Sequence, residues 1–247
     1  PPLLSGLVGS EMCIRDSAAA VRAISLHDAF IVRLPALLAF VGWQMQVVLV
    51  FCVGGKYMSE PIKSFTTAVP AWKPRIAVLN ADQASDEQLH AMNVTTSATN
   101  ISEFTLALAL DPETLSHLLP LLSGIMSGQG GLSRSEAELG AVSVSVVNRS
   151  IYCAAAHSNN YNQLTEDETV MDSIFSSGEA ADISPRNKTI LQFATNLSKC
   201  PSEATASDIK NLSANGLDQS EILDLVFAAS LFGWVNRLSH VLGDPIA

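Results

Sequence analysis

Glu138, Cys153 and His157 are the residues of this chain whose types and spacing point to chemistry. Cys153 and His157 stand four positions apart, about one 3.6-residue helical turn, so a helix through both sets a thiol and an imidazole on one face. A thiolate attacks peroxides and disulfides, and an imidazole takes up and returns a proton near neutrality. Ser150 is a good N-cap residue, which would place Tyr152 and Cys153 in a first turn where free amide donors and the helix dipole favour negative charge. A stabilised thiolate at Cys153 is expected there, lowered further by an imidazolium at His157. Glu138 would sit on the preceding helix, folded back by a turn at Asn148-Arg149, its carboxylate orienting His157 or relaying protons. Each residue has an ordinary alternative: a small buried hydrophobe for Cys153, a satisfied surface histidine for His157, an exposed first-turn glutamate for Glu138. One cysteine with one nearby histidine falls short of a zinc ligand set, so no metal and no cofactor is expected.

The spacing resembles a known signature. Glu-x11-Cys-x-x-Cys-x3-His marks the alkylhydroperoxidase D and carboxymuconolactone decarboxylase superfamily, and Glu138, Cys153 and His157 match it, with Ser150 in place of the first cysteine. The likeness runs over roughly residues 72–245 and rests also on Arg75-Ile-Ala-Val-Leu79 and on Trp234-Val-Asn-Arg237-Leu with Leu242-Gly-Asp-Pro245. It implies an all-α helical bundle that assembles as a homo-oligomer. It also implies thiol-dependent reduction of hydroperoxides, with Cys153 as nucleophile, His157 as acid and base and Glu138 as relay. Ser150 removes the local disulfide. A sulfenic acid on Cys153 would need Cys200, a thiol of another subunit or an external small thiol to resolve it. Two other readings stay open: a decarboxylase-like enzyme using Glu138 and His157 on a lactone or keto acid without redox chemistry, and a module that binds or assembles without catalysis.

The elements that must position these residues read as helices. Asp111-Pro112-Glu113 opens one that Gly128 to Gly131 closes, with a kink expected at Pro120. Ser133-Arg-Ser-Glu136 is a capping box for the helix carrying Glu138, although its β-branched residues leave a strand open. Thr165-Glu-Asp-Glu168, Ser184-Pro185, Ser207-Asp208 and Asp218-Gln-Ser-Glu221 open four more, the third ending at Asn215-Gly216. Strand-like alternation is nearly absent, which by itself indicates an all-α bundle. Arg237 is expected to pair with an acid, a structural role, with His240 on the same surface.

Three regions are expected. Residues 86–247 form the helical domain. Residues 58–85, with Pro61, Pro70 and Pro74 and no helical period, form an extended arm anchored by Trp72 and Ile76. Residues 1–57 read differently: the stretch from Leu4 to Asp16 resembles a translated sequencing adapter, and Met58-Ser-Glu-Pro resembles a native start. The competing readings of that region are an apolar anchor over residues 34–53 behind Arg22 and Arg33, and a secretory leader.

Composition narrows the partners. With 14 Lys+Arg against 24 Asp+Glu, a formal net charge of −10 and no basic cluster, the chain is not suited to nucleic acid or an anionic membrane. Of its four cysteines only Cys153 and Cys200 follow Met58, too few for a secreted disulfide scaffold, so a reducing cytoplasm is expected.

Overall fold

The computed structural model describes residues 60–93, 101–128 and 130–247, which lie within one compact unit, Ser59–Ala247. The readings of residues 1–57 fall outside the described residues.

Nine α-helices are present among the described residues, with one two-stranded antiparallel sheet that joins their two ends. Helix α4 (Arg134–Val147) runs through the centre. Ser133 caps it with a true capping box, and every side chain from Ala137 to Ser145 is buried. That settles the choice between strand and helix: with neighbours on all sides, packing outweighs the modest helix propensity of its valines. Helices α5 (Ile151–Thr165), α7 (Pro185–Ser198) and α9 (Gln219–Leu242) pack around α4. Small residues permit the close approach. A methyl group on Gly140 would lie 3.0 Å from Leu225 Cδ1 on α9. The main core gathers Leu139, Ile190, Phe193, Leu225 and Phe232, all essentially solvent-free. A smaller satellite core of Ala91, Met92, Ala109 and Leu115 forms between α1 (Asp86–Asn93), α2 (Glu103–Leu108) and α3 (Pro112–Ser127).

Arg186 on α7 holds three elements at once, donating to Glu136 on α4 (2.5 Å), to Glu221 on α9 (2.6 Å) and to the carbonyl of Gly216 (2.7 Å).

Several boundaries follow the sequence signals. Asp111 caps α3, Ser184 caps α7 and Asp218 closes a capping box on α9. Helix α3 continues through Pro120. The Thr165 signal misleads: Thr165 is the last residue of α5, its hydroxyl donating back to Tyr161 O, and α6 (Thr169–Ser177) begins four residues later. Glu166, in the left-handed region at φ 55°, stops α5, and Asp167 rather than Thr165 accepts from the Thr169 amide. Helix α8 (Ala206–Ala214) likewise starts earlier than expected, capped by Thr205 with Asp208 completing the box.

The arm is not merely extended. Its strand β1 (Ala71–Pro74) pairs with β2 (Gly243–Ile246), with Ala71 opposite Ile246 and Pro74 opposite Gly243. Trp72 is buried as expected, packing edge-on against Phe104 and donating from Nε1 to Ser239 O at 3.3 Å. Ile76 remains exposed. Arg75 instead secures the arm. It ion-pairs with Asp244 and donates to the carbonyls of His240 and Val241 at the end of α9, where backbone acceptors lack helical partners.

Candidate active site

Helices α4 and α5 form a hairpin, and the turn between them sets the site. Arg149 N–H reaches Val146 O (3.1 Å) and Ser150 N–H reaches Ser145 O (2.9 Å), the paired bonds of a Schellman cap, with Arg149 in the left-handed position at φ 55°. That geometry turns the chain back so that α5 runs beside α4 and brings position 157 next to position 138.

Glu138 is fully buried, which rules out the exposed-glutamate alternative. Its Oε2 meets His157 Nδ1 at 2.5 Å. Its Oε1 accepts from Arg134 Nη2 at 2.5 Å and from Asn160 Nδ2 at 3.2 Å. Burial alone would raise this carboxyl. The hydrogen bond and charge of His157, then those of Arg134, outweigh it and hold the carboxyl below its usual range. A carboxylate accepting at Nδ1 fixes that nitrogen as the protonated one and leaves Nε2 as the atom free to exchange a proton. The half-buried imidazole stands edge-on to Phe232 with ring centroids 4.3 Å apart, so its tilt is set from two sides.

Cys153 occupies the third position of α5, as the spacing requires, but its surroundings differ from expectation. The thiol is buried, and burial pushes it above its ordinary value; side-chain hydrogen bonds with Ser150 and Ser239 offset this only in part. Ser150 is the N-cap residue by position, yet its side chain makes no capping bond to the α5 backbone. The expected stabilised thiolate is therefore not the resting form: loss of hydration outweighs the helix terminus.

A cleft of about 330 Å³ is lined by the two serines that hold the thiol, while the buried Cys153 itself is not among its lining residues. Its walls include Phe65 and Trp72 of the arm, Arg149, Ser150 and Tyr152 of the turn and α5, and Ser239 of α9. Glu138 borders a second groove of about 410 Å³ with Arg134 and Asn160.

Of the remaining sequence candidates, Cys200 is exposed just beyond the end of α7, outside both clefts. Arg237 donates to Gly233 O one turn back in α9 and makes no acid pair among the described residues. His240 lines the 330 Å³ cleft. Arg134 and Asn160 carried a signal that sequence reasoning passed over, since they lie a helical turn from Glu138 and His157. Ser239 and Phe232 carried none, being distant in sequence.

Comparison with known proteins gives four further facts. The carboxymuconolactone decarboxylase family matches residues 112–196, a span that contains Glu138, Cys153 and His157. An uncharacterized protein of Bacillus subtilis, YdfG, is 23% identical over 119 residues, 48% of this chain and 81% of that protein. Among solved structures, an uncharacterized peroxidase-related protein from Ralstonia eutropha JMP134, described as an alkylhydroperoxidase AhpD core, is similar at a TM-score of 0.63 and 24% identity, covering 70% of this chain and 92% of that one. The apo structure of the debrominase Bmp8 is similar at a TM-score of 0.58 and 13% identity, over 70% and 92% of the two chains. The fold is shared by proteins of more than one activity.

Proposed function

Residues 112–196 belong to the carboxymuconolactone decarboxylase family, on the fold of the alkylhydroperoxidase D-like proteins, and from that premise we propose that this chain reduces organic hydroperoxides with Cys153 as its single redox-active thiol. The observation that carries this reading is the fixed Glu138–His157 pair one turn from a thiol whose hydroxyl partners line a cleft.

In this reading the thiol is activated as substrate enters. Its proton passes to Nε2 of His157, whose imidazolium the Glu138 carboxylate stabilises. The thiolate attacks the terminal oxygen of ROOH, the S–O bond forms as the O–O bond breaks, and the alkoxide takes the proton from His157 to leave as ROH. Cys153 is left as a sulfenic acid. A first external thiol condenses with it, releasing water and forming a mixed disulfide. A second thiol reduces that disulfide, leaving Cys153 as the thiol and the two external thiols as their disulfide. With Ser150 at the position of a local resolving cysteine and the exposed Cys200 outside both clefts, an external thiol is the resolving thiol in this reading. A reducing compartment and assembly as a homo-oligomer accompany this proposal.

The protonated, buried thiol favours a second reading, in which Glu138 and His157 perform proton transfer on a lactone or keto acid and Cys153 is a packing residue. Sulfenic-acid trapping followed by mass spectrometry separates the two. Hydroperoxide treatment is expected to label Cys153, with labelling reduced about 10²-fold or more in His157→Ala and Glu138→Gln. An unlabelled Cys153, with lactone or keto-acid turnover that survives Cys153→Ala, would establish the second reading.

A further inference from the structure

The 330 Å³ cleft has a charge that the rest of the molecule does not. The chain as a whole is strongly acidic, yet the cleft collects Lys63, Arg75 and Arg149, and among its described lining residues Asp244 is the only carboxylate. Asp244 is occupied by Arg75, which spends its remaining donors on the end of α9. Lys63 and Arg149 have no ion pair among the described residues, and both are exposed at the mouth. Below them the walls are aromatic, formed by Trp72 and Tyr152, whose ring centroids lie 6.4 Å apart. At the thiol side stand Ser150 and Ser239.

Arg149 also stands where its backbone is disfavoured. At φ 55° a residue with a Cβ costs about 1 kcal/mol or more, and glycine or asparagine would meet the same cap without that cost. Retaining a long cation there places a guanidinium at the cleft mouth at the expense of the turn.

We propose that this cleft takes a small molecule with an aromatic or compact apolar body and a carboxylate head, the carboxylate held by Lys63 and Arg149 and the far end directed to Ser150 and Ser239, the residues that hold the Cys153 thiol. The volume lies at the small end of ligand pockets, about 300–1,000 Å³, so a ring-sized acid fits better than a long acyl chain. The guanidinium supplies bidentate hydrogen bonds to a carboxylate, and the ammonium adds a point charge. The direction toward Cys153 rests on the redox reading above; recognition of the carboxylate does not.

Calorimetric titration of the full chain with cinnamate and phenylacetate, and with the corresponding neutral amides, tests the proposal without any turnover. At low salt the acids are expected to bind at least tenfold more tightly than the amides, and the preference is expected to shrink as ionic strength rises. Lys63→Ala and Arg149→Gly are each expected to weaken acid binding about tenfold and leave amide binding unchanged. Arg149→Gly relieves the turn, so its melting temperature is expected to hold or rise, and a loss of acid binding in it is not a loss of fold. Equal binding of acids and amides, no binding of either, or full acid affinity in both variants would each overturn the proposal. Persistence of acid binding in a protein whose Cys153 resists sulfenylation would instead retain this proposal and discard the redox reading.

Discussion

Cys153 and Glu138 share a helical hairpin but meet opposite electrostatic fates. The carboxylate is compensated by a cation, an imidazole and an amide, so it stays ionised without water; the thiol has only hydroxyls, so it stays protonated. Alkylation of Cys153 by iodoacetamide should therefore be slow at pH 7 and climb steadily beyond the ordinary thiol value of about 8.5, whereas the exposed Cys200 should react faster at neutral pH. Peptide-resolved rates across pH 6–10 check this. Glu138→Ala leaves the His157 ring without its acceptor, while Arg134 keeps Met126 O and Ser127 Oγ, and should cost about 2 kcal/mol of stability by denaturant unfolding. Because the Glu138 carboxyl is depressed on folding, its contribution is present above the unfolded value of about 4.3 and fades as pH falls through and below it. The acid limb of the stability curve should flatten in Glu138→Gln.

At the scale of elements, the sequence was most readable where local chemistry decides the outcome. Capping pairs at Ser133/Glu136 and Asp218/Glu221 announce α4 and α9 because each pair satisfies backbone amides within four residues. The spacing of Cys153 and His157 placed both on α5 for the same reason, and the turn before it brought Glu138 alongside. Two things were not readable. The pairing of β1 with β2 joins four-residue segments separated by nearly the whole domain, each containing a proline and neither alternating in polarity. The protonation of Cys153 depends on how many neighbours exclude water, which depends on α9 and the arm rather than on the motif. Arg149→Gly should raise stability by about 1 kcal/mol, read as a shift in the denaturant midpoint. Gly243→Ala should do the reverse. A methyl there would lie 2.3 Å from Trp72 Cε2 and 2.7 Å from Lys73 O, so the arm must lift, with changed Trp fluorescence and faster proteolysis near Trp72.

For the molecule as a whole, the site is supported by the core rather than by loops. Phe232 belongs to the central cluster and also abuts the His157 ring, so core and site share a residue. Phe232→Ala should cost about 3–5 kcal/mol and shift the His157 ring resonances, while Ile190→Val, away from the site, should cost about 1 kcal/mol and leave them in place. Helix α9 is long and apolar enough to cross a membrane, yet half of its apolar window is buried inside the protein, where it packs on α4, α7 and α8.

The β1–β2 pairing has a consequence for biosynthesis. Gly243 to Pro245 form one side of the cleft and follow α5 by nearly half the helical domain, so the chamber cannot close until these residues have left the ribosomal exit tunnel. Helices α4 and α5 can dock beforehand, since their contacts are local in sequence. The nascent polypeptide thus carries the Ser150 and Tyr152 wall of the cleft uncovered on that side until the segment through Pro245 has emerged and paired.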